Sequence, residues 1–355
     1  MARVRHLCAL VLLALLAGGS SAQWSTLSLA QPRKEMRGAA VRDLVFFAGG
    51  SVFSKTVEIY NMTSGVWRTA ELSRGRSGVA TTSVGDRFVL FAGGLTGTWD
   101  NRVASAAVDI YNVDTNTWTT AALSHPRVNI AATSAGELAF FAGGSSGDES
   151  LHSVIDVYNA TSGAWSTLSL SESRTLLGAV SLGDLVFFAG GYRSGAYTSL
   201  VEIYNTTSRV WASPAHLSQP QTISAAFAMG SKAFFLGRSV TNFVARSALH
   251  IYDACTGAWT AVAVPRLSYE TATAANGLVI LAGTLVGYET AGTVDIYTVA
   301  TGAWTSASLS VARRHLAAAS AGNASLLAGG DLNTATVSDA IDVYRSAYLP
   351  PPGCL

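Results

Sequence analysis

The sequence predicts an all-β chain folded as a seven-bladed β-propeller, and three observations carry the prediction. Tyrosine recurs at Tyr60, Tyr111, Tyr158, Tyr204, Tyr252, Tyr297 and Tyr344, at spacings of 45 to 51 residues. Six of these are followed seven residues later by tryptophan: Trp67, Trp118, Trp165, Trp211, Trp259 and Trp304. The tryptophan missing after Tyr344 stands at the other end of the chain, as Trp24 in QWSTLSL, which matches WSTLSL at Trp165. A period of this size with four strand-like segments per copy is the pattern of a propeller. The displaced tryptophan predicts that the first mature strand joins the last blade and closes the ring.

The composition agrees with many short strands. Apolar residues make up 49% of the chain, yet they come in short runs broken by Gly, Ser and Thr, without long helical periodicity. Charged residues are 13% and the net charge is +1, which fits neither a disordered chain nor one that coats nucleic acid.

Residues 1–22 read as a secretory signal peptide. Arg3 and Arg5 precede the apolar stretch Leu7 to Gly18, and Ser20-Ser21-Ala22 supplies small residues for cleavage after Ala22. The apolar core is about a dozen residues, short of the roughly 20 that span a bilayer. The mature chain is therefore expected to be secreted and extracellular, without membrane insertion, and to act as a monomer. Residues 23–348 are assigned to the propeller and 349–355 to a short tail. Cys8 leaves with the leader. Cys255 and Cys354 could pair in an oxidising compartment, or stand as one half-buried residue and one loose thiol.

Within each repeat four strands follow in order. The first is rich in small residues, as in Gly38 to Val41 or Gly78 to Val84. A tight turn comes next, at Arg42-Asp43, Gly85-Asp86, Gly136-Glu137, Gly183-Asp184 or Asn276-Gly277. The second strand is apolar and ends in Gly-Gly at Gly49-Gly50, Gly93-Gly94, Gly143-Gly144, Gly190-Gly191 and Gly329-Gly330, where backbones must approach closely or turn sharply. The third is of the Val-Glu-Ile-Tyr type, and the fourth carries the tryptophan.

FAGG, then VEIY, then tryptophan seven residues after the tyrosine resembles the kelch repeat, over essentially the whole mature chain. The resemblance implies a kelch propeller, a fold whose members are commonly binding platforms and in a minority enzymes.

The up-and-down course of a blade puts the loops after strands two and four on one face and those after strands one and three on the other. Four N-x-[ST] sequons, Asn61, Asn159, Asn205 and Asn323, map to the second face and are candidate glycosylation sites; Tyr-Asn-x-Thr is also good turn chemistry in its own right. On the first face an arginine follows the tryptophan by nine residues, at Arg33, Arg76, Arg127, Arg174 and Arg313, with Arg266 two residues early. The kelch resemblance implies that arginines here can contribute to a pocket for an acidic partner, so Arg76, Arg127, Arg174, Arg266 and Arg313 are candidate ligand contacts. A second, structural role is the favoured one. The third strand carries an acid at Glu58, Asp109, Asp156, Glu202, Asp295 and Asp342, and the fifth repeat loses both charges, with Pro220-Gln221 where the arginine should be and His250 in place of the acid. Joint loss suggests internal pairing. The loops between strands two and three vary most, and add Trp99, Arg102, Tyr192, Arg193, Phe243 and Arg246 as candidate contacts.

The mature histidines, His125, His152, His216, His250 and His315, are scattered without metal-ligand spacing, so no metal, cofactor or catalytic residue is assigned. The expected function is a secreted binding module for a protein or glycan partner, without nucleic acid. The alternative implied by the resemblance is a carbohydrate-active or copper-dependent enzyme, such as a sugar oxidase or mutarotase.

Overall fold

Each repeat forms one antiparallel four-stranded sheet, and seven such sheets stand around a common axis. The structure, a computed structural model, describes residues 23–346 except 52, 99, 148–149, 242–243, 287–288 and 333–335. No helix occurs among the described residues. Blade one runs Arg37–Val41, Leu44–Ala48, Thr56–Asn61 and Trp67–Glu71, and successive blades repeat that order. Blade seven takes Ala317–Ala321, Ala324–Ala328 and Ala340–Arg345 from the end of the chain and Gln23–Ser28 from its start. The closing strand pairs antiparallel over six positions, with Trp24 opposite Tyr344, the same register that sets Trp67 opposite Tyr60 in blade one. The ring therefore closes as the displaced tryptophan predicts.

The hydrophobic core is divided among the blade interfaces. Second strands such as Leu44–Ala48 are buried from Val45 onward because both of their faces meet apolar surface, which explains their continuous apolar run. Val45 and Phe47 face blade seven, whereas Phe46 and Ala48 face blade two, where Phe46 meets Tyr111 at 5.5 Å between ring centroids. Every conserved-spacing Tyr and Trp pair lies in contact within its blade, with centroids 4.7 Å apart for Tyr60 and Trp67 and 4.9 Å for Trp24 and Tyr344. Each tyrosine thus wedges between its own tryptophan and the preceding blade, an arrangement that buries large area and leaves the outer strands free to be polar.

The two faces differ in their loops. Turns after strands one and three lie side by side, bonded to each other: the Met62, Val113, Ala160 and Thr206 amides donate to the Asp43, Arg87, Glu137 and Asp184 carbonyls. Asn61, Asn159 and Asn205 sit in these turns, each side-chain oxygen accepting two backbone amides, and Asn112, which has no sequon, does the same. Asn at this place therefore has a turn-forming role whether or not it carries a glycan. Asn323 is exposed on the same face. On the opposite face, blades two, four, five and six raise two-stranded hairpins: Leu95–Gly97 against Arg102 to Ala104, Tyr192–Arg193 against Ala196–Tyr197, the extended pair Lys232–Thr241 and Val244–Asp253, and Thr284–Val286 against Glu289–Ala291.

Candidate ligand-binding face

The hairpin face begins with the segment that enters each innermost strand, and here the arginines take the internal one of the two roles that the sequence offers. Arg76, Arg127, Arg174 and Arg313 are wholly buried. Arg76 pairs with Asp109, Arg127 with Asp156, Arg174 with Glu202, and Arg313 with Asp342 at 2.8 Å; Arg33 pairs with Glu58 at 2.7 Å. Each pair is internal to one blade. The second oxygen of the acid accepts a backbone amide from the incoming loop, as Asp109 does from Ser73 at 2.8 Å. The arginine also caps the carbonyl before the Gly-Gly break, as Arg76 does at Gly93 (2.8 Å) and Arg174 at Gly190 (2.8 Å). Burial lowers the guanidinium pKa values and the facing carboxylates push them back up, which keeps the charge in place.

Gly-Gly belongs to the same unit. The second glycine donates its amide to the arginine carbonyl of the next blade, Gly50 to Arg76 at 3.1 Å and Gly94 to Arg127 at 2.9 Å. Gly49 and Gly50 have φ of 67° and 118°, and a Cβ on Gly49 would sit 2.4 Å from the Arg76 carbonyl oxygen; only glycine fits there. Arg76, Arg127, Arg174 and Arg313 are therefore not the exposed ligand contacts that the resemblance implies but members of a ring of buried ion pairs, as the joint loss in the fifth repeat suggests. The physical reason is the convergence of a buried carboxylate and two backbone carbonyls at a place that water does not reach.

Arg266 departs from the set. Its Nε donates to Asp295 at 2.8 Å from a side chain that is 36% exposed. The buried slot is filled by Tyr269, whose hydroxyl donates to Asp295 at 2.6 Å, with Ser306 on the other oxygen. Burial raises the Tyr269 pKa, and Asp295 adds to the effect. Sequence spacing had only the early arginine to align and missed the tyrosine three residues later.

Blade five substitutes Gln221 and His250. Both are buried; neither polar atom of the Gln221 carboxamide nor Nε2 of His250 has a hydrogen-bond partner. Burial lowers the His250 pKa to about 4. An imidazole with its folded-state pKa below its unfolded value near 6.5 loses stability as pH falls, because the unfolded chain takes up the proton first. Stability is expected to be full above about pH 7 and to decline between about pH 6.5 and 4, by roughly 3 kcal/mol at most. Thermal melts across this range, compared with His250→Leu, check it: the variant should lose this component of the pH dependence.

The hairpin face also carries most of the exposed apolar surface. Of the eight large hydrophobic residues exposed among the described residues, Val103, Leu176, Tyr192, Val240, Leu267 and Val311 lie on it, and Val66 and Val210 on the other. Tyr192 and Tyr197 stack edge to face at 5.7 Å, and Arg193 pairs with Glu172. Arg102 and Arg246 are exposed on their hairpin strands. Trp99 and Phe243 lie outside the described residues. Cys255 takes part in a disulfide; Cys354 lies outside the described residues.

Around the channel mouth a second ring appears that sequence reading did not pick out. Glu35, Gly78, Asn129, Leu176 and His315, each two residues after its blade's arginine, adopt φ between 53° and 61°. A left-handed backbone disfavours L side chains, yet the residue type here is free to vary. Three of these positions, Gly78, Asn129 and Leu176, line an axial cavity of about 310 Å³ together with Arg37 and Glu270. Among the described residues no three His, Cys, Asp or Glu side chains converge as a metal-ligand set.

Residues 173–218, blade four, match the Kelch motif. The chain is a seven-bladed β-propeller that carries the Kelch motif in its fourth blade. No curated protein matches it in sequence. Among solved structures, one titled "Structure of YjhT" aligns with a TM-score of 0.57 at 15% identity, covering 88% of this chain and 95% of that one. At that identity the likeness is one of fold, and 951 chains of known structure share it, so function must be argued from the site.

Proposed function

We propose that this kelch propeller is an exported binding module whose hairpin face receives a protein or glycan partner outside the cell. The observation that carries the reading is the asymmetry of the faces. One bears short, mutually bonded turns with all four sequons; the other bears the raised hairpins and six of the eight exposed large apolar side chains. Variable, apolar-tipped loops on a rigid scaffold suit recognition. Glycans on Asn61, Asn159, Asn205 or Asn323 would leave the hairpin face clear. A leader cut after Ala22 would leave the closing strand Gln23–Ser28 intact.

The reading is tested with two variants of the secreted chain. A hairpin-face variant (Val103→Ser, Tyr192→Ser, Val240→Ser) is expected to lose at least tenfold in partner capture from extracellular material with an unchanged melting temperature. An opposite-face variant (Val66→Ser, Val210→Ser) should capture like the wild type. Equal capture by both variants would move the contact off this face.

A further inference from the structure

Two histidines that stand apart in the chain come together on the hairpin face. His125 lies near the end of Thr117–Arg127, the outer strand of blade two, which runs for 11 residues where its counterparts in blades one and three run for 5. His152 lies in the segment between the second and third strands of blade three. Their ring centroids are 5.2 Å apart, with the planes tilted by 44°. His125 is exposed and His152 half-buried.

The backbone on both sides is held. The His152 amide donates to the Gly144 carbonyl at 3.0 Å, and the His152 carbonyl accepts the Arg174 amide at 3.1 Å. Arg127, two residues after His125, is anchored on Asp156. Each ring also meets a hydroxyl: His125 Nδ1 lies 3.2 Å from Ser124 Oγ, and His152 Nε2 lies 2.7 Å from Ser146 Oγ. Ser146 Oγ also donates to the Pro126 carbonyl at 3.5 Å. The hydroxyl beside one ring thus touches the segment that carries the other.

This spacing suits a shared metal ion. A tetrahedral zinc holds each imidazole nitrogen at about 2.0–2.1 Å, which sets the centroids of two such rings about 5 Å apart. The separation here agrees with that figure. Hydroxyls at the rings supply outer contacts of the kind that orient metal-binding imidazoles. Imidazole ligands favour zinc and its transition-metal neighbours over calcium and magnesium, which prefer oxygen. The imidazole of His315 has a different setting. Its Nδ1 bonds the buried Asp331 at 2.7 Å, and Glu270 accepts its amide at 2.7 Å. Lys34 and Arg314 also reach the Asp331 carboxylate, at 3.3 and 3.5 Å, and already supply positive charge there.

We infer that His125 and His152 form a two-histidine site for a divalent transition ion of the zinc class, whose other coordination positions are filled by water. With two protein ligands the site is more open than a four-ligand structural zinc centre, and it binds more weakly. The inference goes beyond the binding-module reading and does not depend on it.

Calorimetric titration of the untagged mature protein with Zn²⁺ alone tests it. One equivalent is expected to bind and to raise the melting temperature. His125→Ala and His152→Ala are each expected to weaken binding at least tenfold and to abolish the rise. His125 is exposed, so its variant should melt like the wild type in the absence of metal, and it decides the matter even where His152→Ala disturbs the fold. His315→Ala should bind zinc like the wild type, and Mg²⁺ should not bind at the pair. Absence of zinc binding up to about 1 mM, or binding that survives both histidine variants, would overturn the inference.

Discussion

Replacing Arg127 by methionine is expected to destabilise the fold by about 3–5 kcal/mol, because it leaves the Asp156 carboxylate buried without its counter-charge. Arg127 is wholly buried, and it bonds the Gly143 and Val154 carbonyls as well as Asp156. The loss therefore includes the side-chain donor to the Gly143 carbonyl besides the ion pair, while the Val154 carbonyl keeps the Gly143 amide at 3.0 Å. Urea unfolding at pH 7 measures it. The double variant Arg127→Met, Asp156→Leu should recover a large part of the loss, since removing both charges is far less costly than removing one. Reversing charge at Arg76, Arg127 and Arg174 together should yield no folded protein. A loss below about 1 kcal/mol for Arg127→Met would place the pair in the class of exposed salt bridges and contradict its burial.

Removing the closing strand should have the second large effect. A chain that begins at Leu29 loses all six paired positions with Ala340–Arg345 and the Trp24 contact with Tyr344. Its last blade keeps three strands and presents an open edge, the feature from which sheets aggregate. The truncated chain is expected to lose its cooperative melt and to precipitate, whereas the chain beginning at Gln23 melts in one transition. Trp24→Ala, which keeps the backbone ladder but empties the space between blades six and seven, should cost about 3 kcal/mol. Identical melts for the two chain lengths would mean that the ring does not depend on its closure.

The two results bear on how the repeat works. Arginine, acid and Gly-Gly form one device: the acid ties the incoming loop, the arginine joins the acid to two backbone carbonyls, and the glycines let the next blade's backbone close in. Blade six reaches the same end with Tyr269 and Ser306 on Asp295, and so releases Arg266 toward solvent. Blade five leaves Gln221 and His250 without such partners.

Much of the fold was legible in the chain alone. Seven tyrosines at near-constant spacing, and a tryptophan moved to the other terminus, determine the number of blades and the closure of the ring, because hydrophobic wedges must recur once per blade interface. The joint loss of arginine and acid in the fifth repeat pointed to internal pairing, since one buried charge cannot persist without the other. What only the tertiary structure decided was direction and depth. Spacing along the chain does not say whether a guanidinium at a strand entrance turns outward to solvent or inward to carbonyls; burial around it does. Nor could spacing bring Glu270, His315, Asp331 and Arg37 together, for they come from three blades that meet only when the ring is closed. Asp331 had one visible signal, an acid directly after Gly-Gly, where the matching positions hold Ser51, Leu95, Ser145 and Tyr192. Its meaning depends on the imidazole beside it, and that contact is made by packing across a blade, not by the order of residues.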